Sequence, residues 1–218
     1  MTGAEGEEYL RVIDYKTSEK DFDLFDVLFG VNIQLVVYLM AAISFYRAGG
    51  REMTPAGGFY FSVKLPYVDA TVKDIEGTRL DDYRMKGFML ASDDALSSMD
   101  AGEGKIISIY MQRKALEPDP DTGAPVGERA LSSEEMETVF AYVRKLLKQA
   151  ATSMYGGRVS PDPFFDGEKV SCEHCDYRSI CRFDPEEARR GGSRKTIGKQ
   201  EIIRAMKDSL GAGEEAEV

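Results

Sequence analysis

The sequence predicts an α/β fold, and three segments near its start carry that prediction. YLRVIDYK, Tyr9 to Lys16, alternates with period two. An apolar run from about Leu24 to Tyr46 is too long for an ordinary strand and stops at Gly49-Gly50, as a helix does. GFYFSVK, Gly58 to Lys64, is aromatic and alternating again, so it reads as a strand returning beside the first. Strand, helix and strand in succession form the unit from which α/β cores are built.

Alternation on the first strand puts Leu10, Val12, Asp14 and Lys16 on one face and Tyr9, Arg11, Ile13 and Tyr15 on the other. Asp14 and Lys16 therefore point the same way. On the helix, Gln34 and Tyr38 are one turn apart and share a face. Farther along, YRMKGFML (Tyr83 to Leu90) reads as a short helix end or turn, KIISIYMQRK (Lys105 to Lys114) as a strand, and EPDPDTGAPVGE (Glu117 to Glu128) as a loop. Ser132 followed by Glu135 matches a capping box, and Met136, Val139, Phe140, Val143, Leu146 and Leu147 supply a helical apolar stripe up to Gly156-Gly157. A cysteine-bearing segment follows SPDPFFDG, then a charged tail with one amphipathic helix near Ile197 to Leu210 and a disordered end, GAGEEAEV. The organisation expected is a flexible leader (1–8), a main core (9–165), a cysteine module (166–185) and a charged tail (186–218).

Composition limits the function classes. A chain of 218 residues with 43% hydrophobic residues supports one main core. No stretch approaches the roughly 18 apolar residues of a membrane span, and MTGAEGEEYL has neither a basic nor an apolar leader pattern, so a soluble, cytoplasmic protein without a membrane partner is expected. Net charge is -10, which counts against a stand-alone nucleic-acid binder because phosphate neutralisation needs clustered Lys and Arg. Between Arg178 and Lys207, however, basic residues outnumber acidic ones. The three cysteines, Cys172, Cys175 and Cys181, all lie in CEHCDYRSIC; an odd, clustered set points to metal or iron-sulfur ligation rather than disulfides.

D-x-K on a strand suits phosphodiester hydrolysis. The reaction needs a hard cation held by oxygen ligands to polarise the phosphate, and a group that positions water. Asp14 and the backbone carbonyl of Tyr15 are candidate ligands, and Lys16 a candidate for orienting the water. Taken alone the pair is equally compatible with a solvent-facing Asp and Lys on an edge strand. Gln34 alone fits a core-edge amide, and Tyr38 a core aromatic.

Taken in order, VIDYKTS, the Q-x3-Y of NIQLVVYL, AGGFYFSV (Ala56 to Val63), DYRMKGFML (Asp82 to Leu90), SMD (Ser98 to Asp100) and GGRVSPDPF leading into CEHCDYRSICRFD resemble the C-terminal nuclease domain of AddB. AddB is the B subunit of the bacterial ATP-dependent helicase/deoxyribonuclease, and the resemblance runs from about Tyr9 to Pro185. It implies a restriction-endonuclease-like PD-(D/E)XK fold, with Asp14, Lys16, Gln34 and Tyr38 in the site. It implies Mg2+ or Mn2+ at Asp14 and Tyr15, and resection of DNA double-strand breaks beside an AddA-type partner subunit. It also implies a [4Fe-4S] cluster on Cys172, Cys175 and Cys181, its fourth cysteine lying upstream in the family. Zinc with His174 as fourth ligand is the alternative. The family's other metal-binding acid precedes the VIDYK strand, so the chain reads as N-terminally truncated and inactive alone; Glu5, Glu7 and Glu8 are weak substitutes. The competing functions are a free-standing iron-sulfur exonuclease of the same superfamily and a non-catalytic scaffold that grips DNA or a partner.

Overall fold

β1 (Tyr9–Lys16) is the edge of a four-stranded mixed sheet. It pairs in parallel with β2 (Thr54–Ser62), β2 pairs antiparallel with β3 (Lys86–Leu90), and β3 pairs in parallel with the short β6 (Ala130–Leu131). The computed structural model describes residues 1–4, 6–63, 85–99, 117–118, 125–126, 129–161, 163–165, 172, 175–184, 189–190 and 197–214. The expected strand at 105–114, residues 82–84, Asp100, His174, Glu5 and the last four residues lie outside this set.

The run from Leu24 to Tyr46 is two helices, α1 (Leu24–Leu28) and α2 (Gln34–Ala48), where one was expected. Gly30 at φ 73° and Asn32 at φ 60° separate them, a left-handed conformation that no helix continues through. The strand register also changes an expectation. Leu10 pairs with Pro55 but Arg11 with Gly57, so β2 carries one extra residue there. Gly57 has φ 151° and lies so close to β3 that a Cβ would stand 2.4 Å from the Phe88 carbonyl oxygen. Within YRMKGFML, expected to be a helix end or turn, Lys86–Leu90 is instead β3, and its last four residues are all buried. A short run buried on both faces lacks the alternation that marks a strand.

Two compact units divide the chain: residues 1–23 and 32–140 form one, residues 24–31 and 141–218 the other. In the first, α2 packs on β1 and β2, and Leu35, Val36 and Leu39 are fully buried. Gly58 admits this approach, since a Cβ there would meet Phe88 at 3.0 Å and the Leu35 Cβ at 3.2 Å. The expected flexible leader is instead tied down where it is described. Met1 and Tyr9 exchange hydrogen bonds, Thr2 bridges Glu8, and the Gly3 N–H donates to the Glu7 carbonyl. α3 (Asp93–Met99) follows β3, and α4 (Ser133–Tyr155) begins after β6. The capping box at the start of α4 forms as expected: the Glu135 N–H donates to Ser132 Oγ and the Ser132 N–H to Glu135 Oε2. Two residue pairs in the expected loop, β4 (Glu117–Pro118) and β5 (Pro125–Val126), pair antiparallel.

The second unit has an aromatic and aliphatic core. Phe29 stands 4.8 Å from Phe25 and 4.7 Å from Phe164, ring to ring. Phe164 begins β7 (Phe164–Phe165), which pairs in parallel with β8 (Arg189–Arg190). The cysteine segment contains only the four-residue α5 (Arg178–Cys181) among the described residues. α6 (Lys199–Glu214) packs on α1 and buries Ile202, Ile203 and Met206; it runs four residues past the expected helix end at Leu210, into the segment expected to be disordered. Among the described residues no helix is long and apolar enough to cross a membrane.

Candidate active site

The four site residues named from sequence stand together. Asp14 and Lys16 leave β1 on the face covered by α2, and Lys16 Nζ donates to Gln34 Oε1 at 2.8 Å. Gln34 in turn donates through Nε2 to the Tyr38 hydroxyl at 2.8 Å, one helical turn on. Tyr38 is 45% exposed, so it lies at the mouth of the site rather than in the core. Alternation on β1 and helical periodicity on α2 thus meet at one ammonium group.

Asp14 is the most informative member. Its Oδ2 is 2.8 Å from Lys16 Nζ, yet this buried oxygen has no hydrogen-bond partner. The two observations are compatible: the charges are close, but the approach lacks hydrogen-bonding direction. A carboxylate oxygen cut off from water and left without a donor is costly unless something else occupies it. The donor set fits a hard divalent cation, which takes carboxylate and carbonyl oxygens. The Lys16 carbonyl accepts from the Val63 N–H on the β2 side, so alternation turns the Tyr15 carbonyl toward the sheet's free edge. Asp14 Oδ2 and the Tyr15 carbonyl would therefore hold such an ion.

A further carboxylate does not come from the N-terminal acids that are described. Glu7 accepts from Thr54 Oγ1 and the Tyr9 hydroxyl, and Glu8 pairs with Arg51. They precede Asp14 by six and seven residues, roughly 20 Å along a strand. The Arg51 hydrogen bond holds the Glu8 carboxyl below the usual range. Tyr9 is pushed up to about 12, by burial first and then by its hydrogen bond to Glu7. Among the described residues, no three His, Cys, Asp or Glu side chains are grouped to hold a metal.

Sequence reasoning missed three residues in this region. Tyr60 pairs with Asp14 across β1 and β2, and its ring lies 5.4 Å beneath Lys16 Nζ. Asn32 accepts from the Tyr60 hydroxyl at 2.7 Å. Lys86 pairs with Tyr60 on β3 and forms an ion pair with Glu19. The alternation of FYFS was the only sequence signal, and it assigns Tyr60 to the Asp14 face only once the register is known.

The cysteines have a different setting. Cys172 is half-buried, while Cys175 and Cys181 are exposed, all three as free thiols. Local turns position them: the Cys175 N–H donates to the Cys172 carbonyl and the Cys181 N–H to the Tyr177 carbonyl. Soft thiolates suit iron-sulfur or zinc chemistry, but these side chains do not converge as a ligand set among the described residues. No step below runs through such a group.

A mixed sheet carrying D-x-K on its edge strand, with Q-x3-Y on the crossing helix, is the arrangement of a nuclease core. Residues 3–182 match the PD-(D/E)XK nuclease superfamily, and the chain belongs to that family. It is also similar to curated proteins named as the B subunit of an ATP-dependent helicase/deoxyribonuclease. The relative from Caldanaerobacter subterraneus subsp. tengcongensis is 36% identical over 187 residues, covering 83% of this chain and 16% of that protein. Those from Alkaliphilus metalliredigens and Lysinibacillus sphaericus are 34% and 31% identical, over 84% and 83% of this chain and 16% of each relative. The chain thus spans about 16% of the length of these relatives.

Proposed function

We propose that this chain is the nuclease domain of an AddB-type helicase/deoxyribonuclease and hydrolyses DNA phosphodiesters with Mg2+ or Mn2+. The single observation that carries the reading is the buried, hydrogen-bond-free Asp14 Oδ2 beside Lys16, on a strand crossed by Gln34 and Tyr38. When bound, the cation supplies Lewis-acid polarisation of the phosphate. Lys16 uses one ammonium hydrogen on Gln34 and keeps others for the attacking water or a phosphate oxygen. Water adds to phosphorus, the ester P–O bond breaks, and the leaving oxygen takes a proton from solvent. Tyr38, partly exposed at the mouth, orients the strand.

The proposal extends to the relatives' setting: resection of DNA ends in recombinational repair, in the cytoplasm, beside an AddA-type subunit. Cys172, Cys175 and Cys181 are assigned by donor type to a [4Fe-4S] cluster, with iron, sulfide and zinc analysis of the full-length protein as the check. A scaffold that binds DNA without cutting is the second reading, favoured by the net charge of -10 and the lack of a grouped carboxylate set among the described residues. The test is Mg2+-dependent degradation of linear DNA by the full-length protein carrying this chain, wild type against Asp14→Ala. Cleavage that the substitution abolishes supports the nuclease; folded, DNA-binding protein that never cuts supports the scaffold.

A further inference from the structure

A lysine ammonium on a four-carbon stem is a mobile point charge, and a site that uses it must restrain it without consuming its hydrogens. Lys16 is restrained from three directions. Asp14 Oδ2 lies at 2.8 Å without a directed hydrogen bond, Gln34 Oε1 accepts one hydrogen at 2.8 Å, and the Tyr60 ring lies beneath at 5.4 Å. At that distance the ring's negative face attracts a cation. Unlike a carboxylate or amide in the same place, a ring face holds the charge while leaving N–H groups for a substrate.

The ring is itself fixed. Tyr60 is 2% exposed, and its hydroxyl donates to Asn32 Oδ1 at 2.7 Å. Asn32 donates through Nδ2 to the Asp21 carbonyl at 3.1 Å, and its backbone holds φ 60°. Asparagine tolerates that conformation better than most side chains do. The turn that leads into α2 therefore delivers an amide to the rim of the ring under Lys16. A tyrosine that merely filled the core would need its hydroxyl satisfied, but would need no ammonium over its face.

We infer that Tyr60 and Asn32 act as a positioning pair for Lys16, the ring seating the ammonium and the amide locking the ring. This rests on the nuclease reading of Lys16, and its test has one arm independent of activity. In the 218-residue chain, the ring current of Tyr60 shifts the Lys16 ε-methylene proton resonances upfield, and Tyr60→Leu removes that shift. In the full-length protein, Tyr60→Leu lowers kcat by about 10- to 100-fold with KM for DNA unchanged, the scale of a misplaced catalytic group. Tyr60→Phe retains the seat and recovers most of the rate. Asn32→Gly keeps the backbone conformation and matches Tyr60→Phe, and the double variant is no slower than either, because both remove one bond.

A folded Tyr60→Leu with wild-type kcat overturns the inference, as does an unchanged Lys16 resonance. Should Tyr60→Leu not fold, the other two variants decide: a shared, non-additive loss of roughly three- to tenfold supports the pair, and wild-type kcat in both refutes it. Equal cleavage by wild type and Asp14→Ala would strike the nuclease reading instead, leaving the resonance shift to decide the seat.

Discussion

The strand-and-helix site and the cysteine segment both hold chemically able side chains, but they hold them differently. Asp14 and Lys16 sit on a strand hydrogen-bonded along its length to β2, and Gln34 and Tyr38 on a fifteen-residue helix packed over that strand. Cys175 and Cys181 sit at a turn and on a four-residue helix with no buried residue, next to Tyr177 and Ile180, which are 71% and 77% exposed. In the first region backbone pairing and core packing set the side-chain geometry before any ligand arrives. In the second, only local turns do so, and a ligand would have to supply the rest of the order.

That contrast breaks most readily at the core beneath the site. Phe88 is fully buried, 4.6 Å from the Phe22 ring and against Gly58. Phe88→Ala is expected to cost about 3–5 kcal/mol in denaturant unfolding; a loss under about 1 kcal/mol would mean that the sheet does not preorganise the site. Next in size, Gln34→Ala removes the Lys16 acceptor and the Tyr38 donor together. It should lower kcat of the full-length protein by about 10- to 100-fold, the range for partners of a catalytic group, with unfolding unchanged.

Tyr9 sharpens the comparison through pH. Its folded value near 12 lies above the ordinary 10, so the folded state keeps a proton that the unfolded chain releases. Stability is full below pH 10 and falls as pH rises from 10 to 12, by at most about 1.4 kcal/mol per pH unit. Tyr9→Phe should flatten that slope in alkaline melts. A smaller effect is expected from Ser132→Ala, which opens the capping box of α4 at about 1 kcal/mol. Smallest is Ile180→Ala in the cysteine segment, within about 0.5 kcal/mol because the side chain is exposed. A loss above about 2 kcal/mol there would show that the segment is packed more firmly than its turns suggest.

Local pattern alone made β1, the shared face of Asp14 and Lys16, the Gln34–Tyr38 spacing and the capping box of α4 readable, since each depends on residues close together in sequence. The match of several ordered motifs made the family readable too. The break between α1 and α2 was hidden because Gly30 and Asn32 sit in a run apolar enough to pass for one helix. β3 was hidden because full burial erased its alternation. What only the tertiary structure decided was the meeting of parts far apart in sequence: Gln34 with Lys16 across 18 residues, and Tyr60 with Asn32 across 28. Periodicity tells which face a side chain takes, but parallel pairing and its one-residue irregularity choose its neighbours. That choice belongs to long-range hydrogen bonding and packing, which no local window contains.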